Sequence, residues 1–224
     1  MQNAVNALGN GWSAAVVNPY GSWASADLRA VQGALNAKDR PAELTAADLA
    51  ALPGELPSGP VFYELDNGRL VVMPPPGDEH GAIESNVTTE LKVQGEKAGH
   101  GKARCGEVMI VLWNDPDRVV GADALFIANP SLPIQITKEG FLKTIPDLVL
   151  EVRSKNDTQP EIDAKVKDYL KAGVRVVWVA DPKKQTVTAY RRGRKSRVFA
   201  IGDTLTVEDV IPGFQMPVAD VFRI

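Results

Sequence analysis

The sequence predicts an α/β protein in which a mixed β-sheet is flanked by helices. Residues 146–153 form a β-branched, apolar run that is typical of a buried central strand, and residues 174–180 form a second run of this kind. Between them, Pro160 begins a helical pattern of apolar residues that ends at Gly173. Strand, helix and strand together indicate a β-α-β unit.

Three further pairs of extended runs complete the predicted sheet. They are residues 62–66 with 69–73, 108–112 with 119–127, and 186–190 with 198–201. The first pair surrounds Asn67-Gly68, a dipeptide that tolerates the positive φ angles of a tight hairpin turn. Another helix is expected from about Glu79, because apolar residues recur there at every fourth position.

Length and composition indicate one folded domain with an extension. The chain has 224 residues, of which 44% are hydrophobic and 24% are charged, the balance of a globular protein. Residues 1–42 are rich in Ala, Asn, Gly and Ser and lack a sustained apolar period. We therefore expect residues 1–42 to be a loosely ordered N-terminal extension and residues 43–224 to be the domain.

Cysteine usage and charge exclude several classes of protein. Cys105 is the single cysteine, which rules out an internal disulfide framework and a cysteine zinc cage and suits a reducing cytoplasm. No apolar run approaches the roughly 18 to 20 residues that span a bilayer, so we expect no membrane association. The net charge of −3 means that nucleic acid would have to meet a local basic surface or a bound metal.

Two acids interrupt runs that are otherwise apolar. Asp123 lies within the predicted strand 119–127 and Glu151 within 146–153. Glu151 could pair with Arg153 or lie at a strand end open to water, since a buried carboxylate needs a partner. If Asp123 and Glu151 instead converge from adjacent strands, a divalent ion with a preference for oxygen ligands, Mg²⁺ or Mn²⁺, would relieve their repulsion.

Two cationic features have both a solvated and a functional interpretation. Lys165 precedes Tyr169 by one helical turn beside the apolar stripe, so it could lean inward or be an ordinary surface lysine. The basic turn, which we define as residues 191–197, could contact phosphates or simply be hydrated. Its cations are Arg191, Arg192, Arg194, Lys195 and Arg197.

From about Thr45 onward, the sequence resembles the Uma-two family of predicted endonucleases, which have the PD-(D/E)XK or restriction-endonuclease-like fold. The resemblance is carried by several segments in order: residues 63–65 and 68–70, 73–76 with His80, 123–126, 146–152, 165–174, 178–182 and 211–214. It implies a three-layer α/β/α core with a mixed central sheet and added β-hairpins, over residues 43–224.

The resemblance also implies site residues. The first strand acid maps to Asp123 and the second to Glu151, both as metal ligands and catalytic groups. Arg153 stands where a Glu-X-Lys motif has its lysine, and Lys165 on the following helix is expected to replace that lysine. His80 and Glu64 match family positions and are expected to support the site, while a helix cap and a turn-side salt bridge explain them better than direct catalysis does.

These residues predict a Mg²⁺-dependent endonuclease that hydrolyses phosphodiester bonds, with Mn²⁺ as a second candidate ion. We expect DNA and a second copy of the chain as partners. The alternative is a domain of the same fold that binds DNA or protein without catalysis and keeps the acids as an ion-paired core.

Overall fold

A computed structural model describes residues 43–56, 59–73 and 75–224 of the chain. The predicted extension, residues 1–42, lies outside the described residues. Two compact units are defined by internal contacts. The first unit contains the described residues up to Pro75 together with Trp113–Val120, and the second contains Pro76–Leu112 and Gly121–Ile224.

The first unit consists of one short helix and small antiparallel strands. Its elements are α1 (Ala46–Ala50), β1 (Glu55–Leu56), β2 (Gly59–Pro60), β3 (Phe62–Asp66) and β4 (Arg69–Met73). Helix α1 begins at Thr45, whose hydroxyl accepts a hydrogen bond from the backbone N–H of Asp48 while the Asp48 carboxylate accepts one from Thr45. Asn67 and Gly68 have φ angles of 50° and 75°, which confirms the predicted tight turn between β3 and β4.

The second unit carries the larger sheet and the long helices. Its helices are α2 (Asp78–Glu90), which continues as a π-helical segment (Leu91–Glu96), α3 (Gln159–Ala172) and α4 (Val218–Val221). Its strands are β5 (Gly101–Trp113), β6 (Arg118–Ala128), β7 (Leu148–Val152), β8 (Val176–Asp181), β9 (Thr186–Tyr190), β10 (Arg197–Ala200), β11 (Thr204–Thr206) and β12 (Gln215–Pro217). The first three residues of β6 and the last residue of β5 belong to the first unit.

The sheet of the second unit is mixed, as predicted. Its strands are hydrogen-bonded in the order β10, β9, β8, β7, β6, and β5 also pairs with β6. Strands β7 and β8 are parallel and are joined by α3, whereas β6 with β7, β8 with β9 and β9 with β10 are antiparallel. The β-α-β unit predicted from residues 146–180 is therefore confirmed.

A capping box marks the start of helix α3, and a glycine marks its end. The Glu161 carboxylate accepts hydrogen bonds from the backbone N–H of Thr158 (2.9 Å) and from its hydroxyl (2.7 Å), and Pro160 lies in the first turn. At the other end, Gly173 has a φ angle of 116°, a conformation that favours glycine. These contacts fix which residues of α3 face the sheet.

The two faces of the central strands are covered by different helices. Leu148, Leu150 and Val152 on β7 belong to the same apolar core as Ile83 and Val87 of α2. Alternation turns Glu151 to the other face, where it meets α3. Helices thus cover both faces of the sheet in this unit, and the candidate site lies on the α3 face.

No helix among the described residues is long and apolar enough to cross a membrane.

Candidate active site

Asp123 lies in the middle of β6, a strand whose residues are all buried. Only 4% of Asp123 is exposed, so its carboxylate needs partners within the protein. Its Oδ2 accepts a hydrogen bond of 2.5 Å from the backbone N–H of Val152 on the neighbouring strand β7. This bond leaves Oδ1 available to groups on the other side of the carboxylate.

Glu151 lies on β7, and 7% of it is exposed. The Tyr169 hydroxyl donates to its Oε1 at 2.6 Å, and the Lys165 ammonium lies 2.8 Å from its Oε2. Lys165 and Tyr169 are one turn apart on α3, which is why both reach the same carboxylate. We call Glu151, Lys165 and Tyr169 the lysine side of the site.

The lysine side is also attached to β6 through Gly121. Lys165 Nζ donates to the Gly121 carbonyl at 3.0 Å, and the Tyr169 hydroxyl lies 3.4 Å from the same oxygen. Lys165 therefore leans inward, which was one of the two interpretations of its position in the sequence. Gly121 and Asp123 share one face of β6, so these bonds bring Lys165 towards both acids.

The pKa of Glu151 is raised to about 8. Burial is the largest cause, because it disfavours the charged carboxylate. The charge of Lys165 lowers the pKa and the nearby charge of Asp123 raises it again. The influence of Asp123 indicates that the two acids predicted from the sequence act on each other electrostatically.

His80, in the first turn of α2, lies beside Asp123. Its Nε2 lies 3.0 Å from Asp123 Oδ1 and is fully buried, yet it forms no hydrogen bond of acceptable geometry with the described residues. Burial alone lowers the pKa of His80, but the carboxylates of Asp123, Glu107 and Glu84 outweigh this effect and raise it. His80 is thus part of the cluster and not merely a helix cap.

Glu107 joins this cluster, although the sequence analysis did not single it out. Ligand atoms of His80, Glu107 and Asp123 all lie within 4.8 Å of one another. We call these three residues the histidine side of the site. A glycine inside an extended run often marks a bulge, so Gly106 was the signal in the sequence that could have drawn attention to Glu107.

The histidine side has the donor set and spacing of a divalent metal site. One imidazole nitrogen and two carboxylates suit a divalent first-row metal ion, and adjacent ligands of an octahedral ion with bonds near 2.1 Å lie about 3.0 Å apart. The separation of His80 Nε2 and Asp123 Oδ1 matches that distance. Glu151 is not a member of this three-residue group. The charge of Asp123 nevertheless contributes to the raised pKa of Glu151.

Arg153 does not pair with Glu151. Its guanidinium lies 3.4 Å from the Asp181 carboxylate, and it donates to the Gln159 side chain and to the backbone carbonyl of Asp157. Asp181 ends β8, which runs parallel to β7, so the two strand ends meet at the same edge. The sequence alternative in which Arg153 neutralises Glu151 is therefore wrong.

Glu64 lies in the first compact unit. Its carboxylate is 3.6 Å from the Arg118 guanidinium, and both side chains are buried. Arg118 also donates to the backbone carbonyl of Leu65 at 2.9 Å. This geometry matches the salt-bridge interpretation of Glu64.

The five cations of the basic turn have different environments. Arg191 forms two hydrogen bonds with the Asp209 carboxylate, at 3.0 and 3.2 Å. The Arg197 guanidinium lies 4.3 Å from the centre of the Phe199 ring. Arg192, Arg194, Lys195 and Arg197 are exposed to solvent, whereas Arg191 is partly buried.

A solved structure and a family model are both similar to this chain. A solved structure, described as a "putative nuclease belonging to DUF820 from Anabaena variabilis", matches with a TM-score of 0.65 and 21% sequence identity. The match covers 80% of this chain and 97% of that one. The chain therefore has the fold of that nuclease structure, in agreement with the predicted restriction-endonuclease-like architecture.

Residues 47–219 match the Uma2 family, whose description is "Putative restriction endonuclease". This match spans more than half of the chain, and the chain belongs to that family. The resemblance inferred from the sequence is thus confirmed. No curated protein matches the chain significantly.

Proposed function

We propose that this member of the Uma2 family is a metal-dependent endonuclease that hydrolyses phosphodiester bonds in DNA. The observation that carries the proposal is the position of Asp123. This one buried carboxylate belongs to the metal-competent histidine side and also acts electrostatically on Glu151, which is bound to Lys165. A divalent cation site beside an oriented ammonium group is the arrangement that phosphoryl-transfer chemistry requires.

Asp123 and Glu151 are the proposed metal-holding carboxylates, with Mg²⁺ as the ion and Mn²⁺ as its substitute. Each Glu151 oxygen accepts one bond in the structure, and an ionised carboxylate has about four acceptor positions, so capacity remains for an ion. When bound, the cation supplies a Lewis acid that activates water near neutral pH and offsets negative charge on phosphoryl oxygens.

Lys165 is the proposed cationic catalytic group. Its ammonium is held by Glu151 Oε2 and by the Gly121 carbonyl, which restricts its position before substrate arrives. A charge fixed in advance stabilises a transition state without the cost of reorganisation. Tyr169 positions this pair through its bond to Glu151 Oε1, and Arg153, bound to Asp181, is assigned a structural role.

The exposed cations of the basic turn are the proposed DNA contacts. Arg192, Arg194 and Lys195 can displace counterions from phosphates, whereas Arg191 and Arg197 are engaged by Asp209 and Phe199. We further propose that the active form is a homodimer. The cytoplasm is the proposed location, because the single cysteine, Cys105, is an exposed free thiol that a reducing compartment would preserve.

A non-catalytic domain of the same fold is the second candidate. It is favoured by the bonding of Glu151, since both of its oxygens are satisfied by Lys165 and Tyr169 as in a structural ion pair. Such a domain would bind DNA or protein without cleaving either.

A cleavage assay with metal control tests the proposed function. Purified protein should cut DNA in millimolar Mg²⁺ or Mn²⁺ and stop when the metal is chelated. Asp123→Asn should reduce the rate by about a hundredfold to a thousandfold, because it removes charge at the shared position. RNA and single-stranded DNA should be included, since they decide the substrate class.

Asp147→Asn is the matched control for Asp123→Asn. Asp147 is also a buried acid beside β7, but its Oδ2 accepts from the Ala128 backbone and the Ser131 hydroxyl. Its variant should retain cleavage at temperatures where it stays folded. A wild-type protein that cuts no nucleic acid, or an Asp123→Asn variant as active as wild type, would contradict the proposed function.

A further inference from the structure

We infer that Glu107 is a metal ligand of this site and that His80 and Glu107 join the proposed ligands Asp123 and Glu151 in binding the divalent ion. The inference rests on the proposed function in one respect, namely that Asp123 holds a metal. Three independent features of the second compact unit support it: the backbone at Gly106 and Glu107, the space at Gly121, and the buried nitrogen of His80.

The first feature is the backbone conformation of two consecutive residues in strand β5. Gly106 and Glu107 have φ angles of 88° and 52°, and a non-glycine residue in this region is uncommon in a strand. The Glu84 carboxylate, one turn after His80 on α2, accepts a hydrogen bond of 2.6 Å from the Gly106 N–H. The chain at Gly106 is thus tied to the helix that carries His80.

The second feature is the absence of a side chain at Gly121 on β6. A Cβ atom built there would lie 2.7 Å from Glu107 Oε2, which is closer than such contacts occur in proteins. Gly121 does not have a positive φ angle, so its backbone does not require glycine. The absence of a side chain at Gly121 therefore leaves room for the Glu107 carboxylate beside β6. Gly121 lies two residues before Asp123 on that strand.

The third feature is His80 Nε2, which is buried and lacks a well-directed hydrogen bond within the described part of the chain. This nitrogen lies 3.0 Å from Asp123 Oδ1, and a neutral imidazole nitrogen is a common ligand that can share a metal ion with a carboxylate at that separation. The three ligand atoms lie within 4.8 Å of one another, and opposite ligands of an ion with bonds near 2.1 Å are about 4.2 Å apart. Small side-chain rotations would therefore bring all three into one coordination sphere.

Binding of Mn²⁺ is the readout, because it is measured by calorimetry or by spin resonance without any nuclease activity. Glu107→Gln keeps the shape of the side chain but weakens it as a ligand, and should raise the Kd for Mn²⁺ by about tenfold or more. Glu84→Gln is the matched control. It neutralises a neighbouring carboxylate outside the group and should change the Kd by no more than about threefold, through the electrostatic field alone.

Gly121→Ala tests the same inference without altering a ligand. The new methyl group would meet the mobile end of Glu107, so the fold should be retained while the carboxylate moves and Mn²⁺ binds more weakly. Gly81→Ala is its control, because no atom lies within 4 Å of a Cβ built at Gly81. The double variant Glu107→Gln with Gly121→Ala should bind no more weakly than Glu107→Gln, since both changes act on one carboxylate.

Melting temperatures measured with chelator show whether each variant is folded. Equal Mn²⁺ affinity for wild type and folded Glu107→Gln would overturn the inference and leave the proposed function intact. If Glu107→Gln does not fold, an unchanged affinity in Gly121→Ala would overturn it. Absence of Mn²⁺ binding by wild-type protein at millimolar concentration would overturn both the inference and the metal dependence of the proposed function.

Discussion

The two sides of the candidate site differ in the groups that lie around their carboxylates. On the lysine side, one carboxylate meets one ammonium and one hydroxyl, and both oxygens of Glu151 are bonded. On the histidine side, ligand atoms of Asp123 and Glu107 lie close to the imidazole of His80, and the carboxylate of Glu84 lies nearby. The lysine side thus joins one carboxylate to an ammonium and a hydroxyl, whereas the histidine side groups two carboxylates with an imidazole.

We therefore propose different roles for the two sides. Glu151 and the Gly121 carbonyl hold the Lys165 ammonium, so the lysine side is suited to placing a cationic group. An imidazole nitrogen and carboxylate oxygens are ligands of divalent metal ions, so the histidine side is suited to metal binding. The following experiments test whether the two sides have these separate roles.

The largest expected effect is on the catalytic rate of a Lys165→Ala variant. Cleavage should fall by about a hundredfold, because one transition-state charge is lost, while Mn²⁺ affinity changes little. Lys165→Arg should restore only part of the rate, since the guanidinium is broader and cannot release its proton near neutral pH. Rate constants under single-turnover conditions, measured beside Mn²⁺ titrations, separate the two sides.

Arg153→Ala is the control for Lys165→Ala. It removes a cation that neutralises Asp181, so it should lower the melting temperature and leave the rate of the folded protein unchanged. A normal rate for Lys165→Ala together with an inactive, folded Arg153→Ala would reverse the two assignments.

A smaller effect is expected in the pH dependence of stability. The pKa of Glu151 is 4.5 in its ordinary state and about 8 in the fold, so the native protein binds the extra proton between these values. Its contribution to stability is complete below pH 4.5 and is lost as pH rises through about 8. In chelator, the stability of wild type relative to Glu151→Gln should therefore fall with rising pH, by at most about 1.4 kcal/mol per pH unit.

Urea unfolding of both proteins across this pH range measures the difference. Parallel stability curves would mean that Glu151 keeps an ordinary pKa and that the lysine side is a fully ionised pair.

The smallest expected effect concerns the basic turn. If its exposed cations offset the acidity of the site towards DNA, replacing Arg194 and Lys195 by Ala should weaken binding a few-fold and reduce the salt slope by about two. Arg191→Ala should instead lower stability, because it releases Asp209. DNA titrations at several salt concentrations would contradict this proposal if the slope of the double variant equalled that of wild type.

The sequence predicted those parts of the site that depend on local periodicity. Strand alternation separated Glu151 from its apolar neighbours, and helical spacing placed Lys165 one turn from Tyr169. The alternative that paired Arg153 with Glu151 was wrong. The partner of Arg153 is Asp181, which belongs to a parallel strand whose register the local sequence does not encode. Glu107 was missed for a related reason, since its position depends on the positive φ angles of Gly106 and Glu107 and on the absence of a side chain at Gly121 in another strand.

The bonds between Glu161 and Thr158 at the start of α3 also determine where Lys165 can be. Each residue added to an α-helix turns the following side chains by about 100°, so one insertion between Thr158 and Lys165 would direct the ammonium away from Glu151. The number of residues between Thr158 and Lys165 is therefore itself a requirement of the site.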